Sequence, residues 1–562
     1  MTWVQQYQPL GDLVFQTVVG GGPRSFTLAG IALSALVAGI PLYMLFFMLA
    51  VKRMPGHKAA FFATFAALLL AIICWGMPAG LAIGATLYGA AIGLFPIIWI
   101  VITAIWVYNM TVESHEFDII KNSLAQITDD RRLQAIFIAF AFGSFIEGTA
   151  GFGTPVAITA AMLVGLGFNP LYAAGLCLIA NTAPVAFGAI GIPIVVAANV
   201  SGLDMMKISA ICGRQLPFLS AIVPLWLSVT MCGFRRTMEI LPAVIIAGVC
   251  FAGSQFLVSN YVGPYLPDII SAIVTIIGLG AFLKVWKPKN IWHFPDEPPA
   301  CERVVTSQYR AGEIFRAWLP YIILAIMVFL WGLKPVQNFL NTVFTTTFDW
   351  PGLHNQVIKT APIVSPDKPY DAVFKFNFMS TPGTAILISG LLAVLFMPGY
   401  GYAKAFACLL RTIKQLKWPI ATIAMILGLA YIMNYSGMSS SLGLAFTATG
   451  ALFPFFSPIL GWLGVFLTGS DTSSNALFGA LQKTTAQQIG VDPHLCVAAN
   501  SSGGVTGKMI SPQSIAVATA ASNMVGHEGD IFRFTLKHSL AMLGVVSLLT
   551  LLQAYPLKWM LP

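Results

Sequence analysis

FIEGTAGFGTP at residues 145–155 and FLTGSDTSSNA at residues 466–476 are two versions of one arrangement. In each, an apolar run breaks into Gly, Thr or Ser around a single carboxylate, Glu147 in the first and Asp471 in the second. Each is followed by a second break: ANTAPVAFGAIGIP at 180–193 and ANSSGGVTGKMISP at 499–512. Phe145 pairs with Phe466 and Asn181 with Asn500 at nearly the same offset, which points to an internal duplication. Apolar segments broken at matching places in two halves are the best sequence pointer to a transporter's binding site.

The rest of the chain fits a membrane. Of its 562 residues, 57% are hydrophobic and 9% charged, against about 25% charged in a soluble domain. That excludes an aqueous fold. The net charge of +9 reads as cytoplasmic loop lysines and arginines, not as a nucleic-acid surface. The eight cysteines include no CxxC pair and mostly sit in apolar runs, so they read as packing residues. The seven histidines have no ligand spacing, and neither a metal site nor a cofactor is expected. SGGVTGKM lacks the Ser or Thr that a phosphate-binding loop needs after its lysine, which argues against ATP as the driving force.

Apolar length predicts an all-α polytopic fold of about 12 crossings and two re-entrant hairpins. An N-terminal transmembrane half covers 1–286, with a hairpin at 133–168 and a broken helix at 171–200. A cytoplasmic linker covers 287–316. A C-terminal half covers 317–562, with a hairpin at 442–480 and a broken helix at 493–521. Residues 112–133 read as an amphipathic surface helix, and 334–382 as a long loop with aromatic anchors. Placing both termini in the periplasm puts most Lys and Arg on the cytoplasmic side. The two hairpins then enter from opposite faces, which makes the halves an inverted repeat.

Unpaired backbone groups are costly in lipid, so Gly-rich breaks survive only inside protein or beside a polar cavity. The half-helix starts they create carry partial positive charge and suit an anion. The candidate substrate-binding residues are Gly148, Thr149, Gly151, Gly153, Asn181, Thr182, Ser470, Thr472, Ser473, Asn500, Ser501, Ser502, Gly503 and Lys508. Set against this is the possibility that small residues merely let helices pack closely. Glu147 and Asp471 are candidate proton-coupling groups, because burial penalises the ionised form of a carboxylate. Their structural alternatives are a turn-capping role for Glu147 and a helix cap for Asp471. Lys508 is a cation inside the second broken crossing, placed to attract a carboxylate substrate or to pair with Glu147 or Asp471.

These same stretches resemble the lactate permease family of bacterial inner membranes. The resemblance is carried by FDIIKNSLAQIT, EGTAGFGTPVAITAAMLVGLGFNPLYAAGLCLIANTAPVAFGAIGIPI, GRQLPF, LPDIISA, DAVFKFN, NYSGMSS, FFSPILGWLGVFLTGSDTSSNALFGALQ and AANSSGGVTGKMISPQSIAVA. FLKVWKPKN, DAVFKFN and LFPFFSP look nearer the glycolate branch. Where the family typically has EGAAGFGAP, this chain has hydroxyls at Thr149 and Thr154. The resemblance implies proton-driven symport of the small monocarboxylate anions glycolate, L-lactate and D-lactate. It is also similar to a wider ion-transporter group whose substrate-carrying domain is built from two hairpins and two broken helices. A sodium-coupled carboxylate or dicarboxylate carrier of that group is the alternative, since SDTSSN supplies oxygen ligands at a helix break.

Overall fold

The computed structural model describes all residues except 1, 12, 20–21, 29, 53, 126, 152 and 295–308. The PDEPP segment of the expected linker, with Asp296, therefore lies outside the described residues, as does Phe152 of the first turn.

Helices dominate. Among the described residues, ten are long and apolar enough to cross a membrane, or eleven if the bent pair Pro170–Ala180 and Val185–Ser201 is one span. Large apolar side chains such as Phe61, Phe65, Ile73, Val249 and Ile277 are exposed on their outer faces, as expected where the solvent is lipid. The protein is a polytopic membrane protein.

Three differences from the expected layout have physical reasons, and Met438–Thr468, which overlaps the expected second hairpin, is itself long and apolar enough to cross. The third span, expected at 89–108, belongs to a helical run Ala79–Glu113 of 35 residues, kinked where Phe95 leaves helical geometry before Pro96. Pro382–Phe396 is apolar but short. The helices Pro493–Lys508 and Pro512–Ala521 carry Asn500, Ser501, Ser502 and Lys508, too polar to score as a crossing. The amphipathic helix is confined to Glu116–Ala125.

The chain is not purely α. The segment read as a long loop contains the helix Lys334–Val343 and short strands, with 346–349 antiparallel to 373–376. Val357–Lys359 pairs in parallel with Trp3–Val4 and antiparallel with Lys368–Pro369. A further hairpin joins Leu13–Val19 to Gly22–Leu28.

The first motif folds as Arg131–Thr149, π-helical over Ile136–Phe142, then a turn, then the helix Thr154–Gly165. Gly151 and Gly153 take φ of +58° and +82°, left-handed values that side chains with a Cβ rarely adopt. Pro155 then starts the returning helix, where its missing N–H costs nothing. The second motif pairs Phe453–Thr468 with Asp471–Gln488, so its arms lie further along the chain than the expected 442–480. Its polar second arm hides the boundary from hydropathy. Gly469 ends the first arm at φ +72°, and Ser470 caps the second by accepting from the Ser473 N–H at 3.2 Å.

The breaks differ in kind. Pro170–Ala180 bends by 62° into Val185–Ser201. There Ala189, Ile190 and Gly191 all have positive φ, and for the two non-glycine residues that costs about 1–2 kcal/mol each. Neighbours hold this strained stretch: a Cβ on Gly191 would lie 2.3 Å from the Pro264 carbonyl oxygen. The second break is short. Pro493–Lys508 ends, and Ser511 caps Pro512–Ala521 by accepting from the Ser514 N–H at 3.2 Å.

The two motifs exchange partners. Thr154–Gly165 of the first packs on Pro512–Ala521 of the second, and Asp471–Gln488 of the second packs on Gly188–Ser201 of the first. Asn475 stitches the latter contact, donating to the Pro193 carbonyl at 3.1 Å. The apolar core forms two clusters, and the first motif supplies both: Phe145 and Ile146 to one, Phe137 and Phe140 to the other.

Candidate functional site

Where the turns meet the breaks, a cavity of about 930 Å³ opens. Its floor contains Glu147, Gly151, Gly153, Gly188, Ser470, Asp471, Thr472, Ser473 and Lys508. Three helices begin there, at Thr154, Asp471 and Pro512. Each presents N–H groups with no partner earlier in its own helix, and partial positive charge. Leu45, Leu49, Ile423 and Ile426 make apolar walls. His57 and Trp418, also lining it, stack with ring centroids 4.0 Å apart.

One ion pair crosses this floor. Lys508 Nζ donates to Glu147 Oε1 at 2.8 Å, and both side chains are almost wholly buried. Glu147 Oε2 has no hydrogen-bond partner. Gly188 makes room for the carboxylate, since a Cβ there would lie 2.6 Å from Oε1. Pairing with Glu147 was one of the alternatives for Lys508, and both residues also line the cavity. Glu147 accepts from this side chain, where the turn-capping alternative needed backbone N–H groups.

Asp471 does not cap its helix; Ser470 does. Asp471 Oδ2 accepts from the Ser501 hydroxyl and from Asn475 Nδ2, while Oδ1 is unpartnered. The second break is thereby tied to the second turn. Asn500 belongs to the same web: its Nδ2 donates to Asn475 Oδ1 at 2.9 Å, and its Oδ1 accepts from Gln482 Nε2 at 3.1 Å.

The remaining candidates fall outside the cavity wall. Thr149 turns back on its own helix, donating to the Phe145 carbonyl at 3.0 Å. Gly148 and Gly503 serve close packing: a Cβ on Gly503 would sit 2.1 Å from the Pro458 carbonyl oxygen. Asn181, Thr182 and Ser502 are buried with side-chain polar atoms that have no partner. Conversely, the cavity wall includes Gln513, Ser514, Thr422 and Glu528, which the sequence reading did not single out. Gln513 and Ser514 directly follow the second break's proline, and that position is the signal that could have found them. Asp268 is another omission. It is 1% exposed, neither carboxylate oxygen has a partner, and it presses on Gly148.

Chemically, the floor can receive one small anion. Lys508 and three helix starts attract it, Glu147 competes with it for the ammonium, and hydroxyls of Ser470, Thr472 and Ser473 stand nearby for hydrogen bonding.

The model of the L-lactate permease family matches residues 34–557. The chain is 51% identical to the glycolate permease GlcA of Escherichia coli (strain K12), and the match covers 100% of both chains. It is 48% identical to the L-lactate permease of Bacillus subtilis (strain 168) and 49% identical to that of Salmonella typhimurium, again over 100% of both chains. Among solved structures, the YdaH transporter of Alcanivorax borkumensis aligns over 98% of this chain and 95% of its own at 12% identity, with a TM-score of 0.43. The relatives are permeases, transporters and not enzymes, and with matches of this extent the chain belongs to the L-lactate permease family.

Proposed function

We propose that the protein imports glycolate, L-lactate and D-lactate across the bacterial inner membrane, one proton entering with each anion. The observation that carries this reading is the buried Lys508–Glu147 pair on the cavity floor, beside three helix starts. A substrate carboxylate that takes Lys508 leaves Glu147 without its counter-ion. A lone buried carboxylate is far costlier than a neutral one, so Glu147 takes up a proton. Anion and proton then cross together, and the loaded site is as neutral as the empty one. The 2-hydroxyl finds acceptors and donors among Ser470, Thr472 and Ser473.

In this reading the two motifs are re-entrant hairpins of an inverted repeat, with both termini in the periplasm. Their reciprocal packing on each other's broken helices supports that symmetry. The cavity wall at Met54, Gly56, His57 and Trp418 then lies on the cytoplasmic side, so the carrier faces inward. Pairing within the floor leaves Gly148, Thr149, Asn181, Thr182, Asn500, Ser501, Ser502 and Gly503 as supports of the site.

A sodium-coupled carboxylate carrier is the second reading, favoured by the unpartnered oxygens of Asp471 and Ser502 in the second motif. One experiment separates the two. Uptake of labelled glycolate, both lactates, acetate and succinate is measured in vesicles containing the purified protein. Proton symport predicts uptake of the 2-hydroxymonocarboxylates that survives sodium removal and collapses with the proton gradient. The opposite dependence supports the sodium reading.

A further inference from the structure

We propose that Asp268 is the proton partner of Glu147, so that coupling runs through a pair of carboxylates and not through Glu147 alone. The inference rests on the proton-symport reading above and extends it to a residue outside the cavity wall.

Asp268 stands in the first turn of the helix Pro267–Val285, yet it does not serve that helix as a cap. It is 1% exposed, and neither oxygen accepts a hydrogen bond. A structural aspartate in such a place normally accepts N–H bonds or meets a cation, and Asp268 does neither. Its position is tied to the site through Gly148, the residue after Glu147. A Cβ on Gly148 would lie 2.7 Å from Asp268 Cβ and 3.2 Å from the Ile269 N–H nitrogen. The charged groups that act on Asp268 are Glu147 and Lys508. Glu147 Oε2 is the other buried, unpartnered carboxylate oxygen of this turn. Asp268 is absent from the cavity lining, whereas Glu147 is part of it.

Charge balance assigns the proton. In the empty site Lys508 neutralises one carboxylate only. Glu147 holds that partnership, so Asp268, with no donor on either oxygen, is the member that keeps a proton. When a substrate carboxylate takes Lys508, Glu147 becomes the uncompensated anion. Glu147, freed from Lys508, turns to Asp268 and takes its proton at Oε2, and the proton that replaces it on Asp268 is drawn from cavity water through Glu147, which lines the cavity. The net change is one anion and one proton bound, with Lys508 charged throughout. Release in the cytoplasm reverses each step.

The test uses the full-length protein in liposomes, with Asp268→Asn, Asp268→Glu and wild type. Three quantities are read: exchange of labelled glycolate at equal pH, accumulation driven by an imposed pH gradient, and proton movement on glycolate addition, reported by a trapped pH dye. Asp268→Asn keeps exchange, which also shows that it folds, and loses gradient-driven accumulation. Asp268→Glu restores it. Accumulation by Asp268→Asn equal to wild type overturns the assignment. Loss of exchange in both variants overturns it too, because the residue is then structural. Wild type that moves glycolate without protons overturns the symport reading itself, an outcome separable from the other two.

Discussion

Lys508 and Glu147, 361 positions apart in the chain, meet at 2.8 Å on the floor of the central cavity. The contact joins the end of one motif's broken helix to the turn of the other. It makes the charge state of the site depend on both halves of the chain. Breaking such a pair by removing one partner costs about 3–5 kcal/mol, because the other charge is left buried and alone.

That cost separates binding from folding. Lys508→Met lowers the affinity for glycolate by about 2–5 kcal/mol, as for other truncated buried charge pairs, and also lowers thermal stability in detergent. Adding Glu147→Gln removes the stranded charge. The double variant regains most of the melting temperature while glycolate affinity stays low. Affinity that returns with stability assigns Lys508 to structure alone.

The packing of the second motif gives a steric prediction. A Cβ on Gly461 would lie 1.8 Å from the Asn500 carbonyl oxygen, whereas Gly544 has open space around it. Overpacking of this kind costs about 1–3 kcal/mol or more, and Gly→Ala at a free helix position gains up to about 1 kcal/mol. Gly461→Ala therefore melts earlier than wild type, and Gly544→Ala no earlier. Equal melting temperatures for the two contradict the close contact between Phe453–Thr468 and Pro493–Lys508.

The strand residue Lys359 gives the fold a pH dependence. Burial, with repulsion from Lys483 and Lys368, pushes its ammonium down to about 7, against an opposing pull from Asp371. An unfolded lysine holds its proton to about 10.4. Between these values the unfolded chain binds more protons, so this residue makes stability rise with pH across that window. Its destabilising effect is complete below about pH 7, where both states are charged, and fades toward pH 10. The melting temperature of Lys359→Met, relative to wild type, is highest below neutral pH and falls back as pH rises. Parallel profiles contradict the burial of Lys359.

Topology is open to labelling. In a cysteine-free background, single cysteines at Lys287 and Asp349, both exposed, react with an impermeant reagent from opposite faces if the halves are inverted. Labelling from one face contradicts the inverted arrangement.

The turns were legible in the sequence because EGTAGFG interrupts an apolar run, and only Gly151 and Gly153 could supply the left-handed backbone there. The helix, turn and returning helix of the first motif, 131–165, and the bend between Pro170–Ala180 and Val185–Ser201 fall on stretches that the breaks in apolar sequence mark. In the second motif the helix Asp471–Gln488 runs on past residue 480, because TSSNALFGALQKTTAQQ is polar enough to pass for a surface segment. It is buried against the first motif's broken helix instead. Hydropathy cannot see that kind of burial. Of the fourteen substrate candidates, Gly151, Gly153, Ser470, Thr472, Ser473 and Lys508 line the cavity and the other eight do not. Asn500 reads as a ligand in sequence and is consumed by Asn475 and Gln482 in the fold. Asp268 was illegible for the opposite reason: following Pro267 it resembles an ordinary first-turn acid, and only the approach of Gly148 sets it apart.

The central claim is that Glu147 takes the proton when substrate takes Lys508. Glu147→Gln holds the protonated form permanently, at nearly the same shape. The direct measurement is labelled glycolate in proteoliposomes, first as exchange at equal pH, then as accumulation under an inward proton gradient. The account predicts that exchange survives, since it needs no net proton movement, and that accumulation against the glycolate gradient is lost. Accumulation by Glu147→Gln at the wild-type level would contradict it.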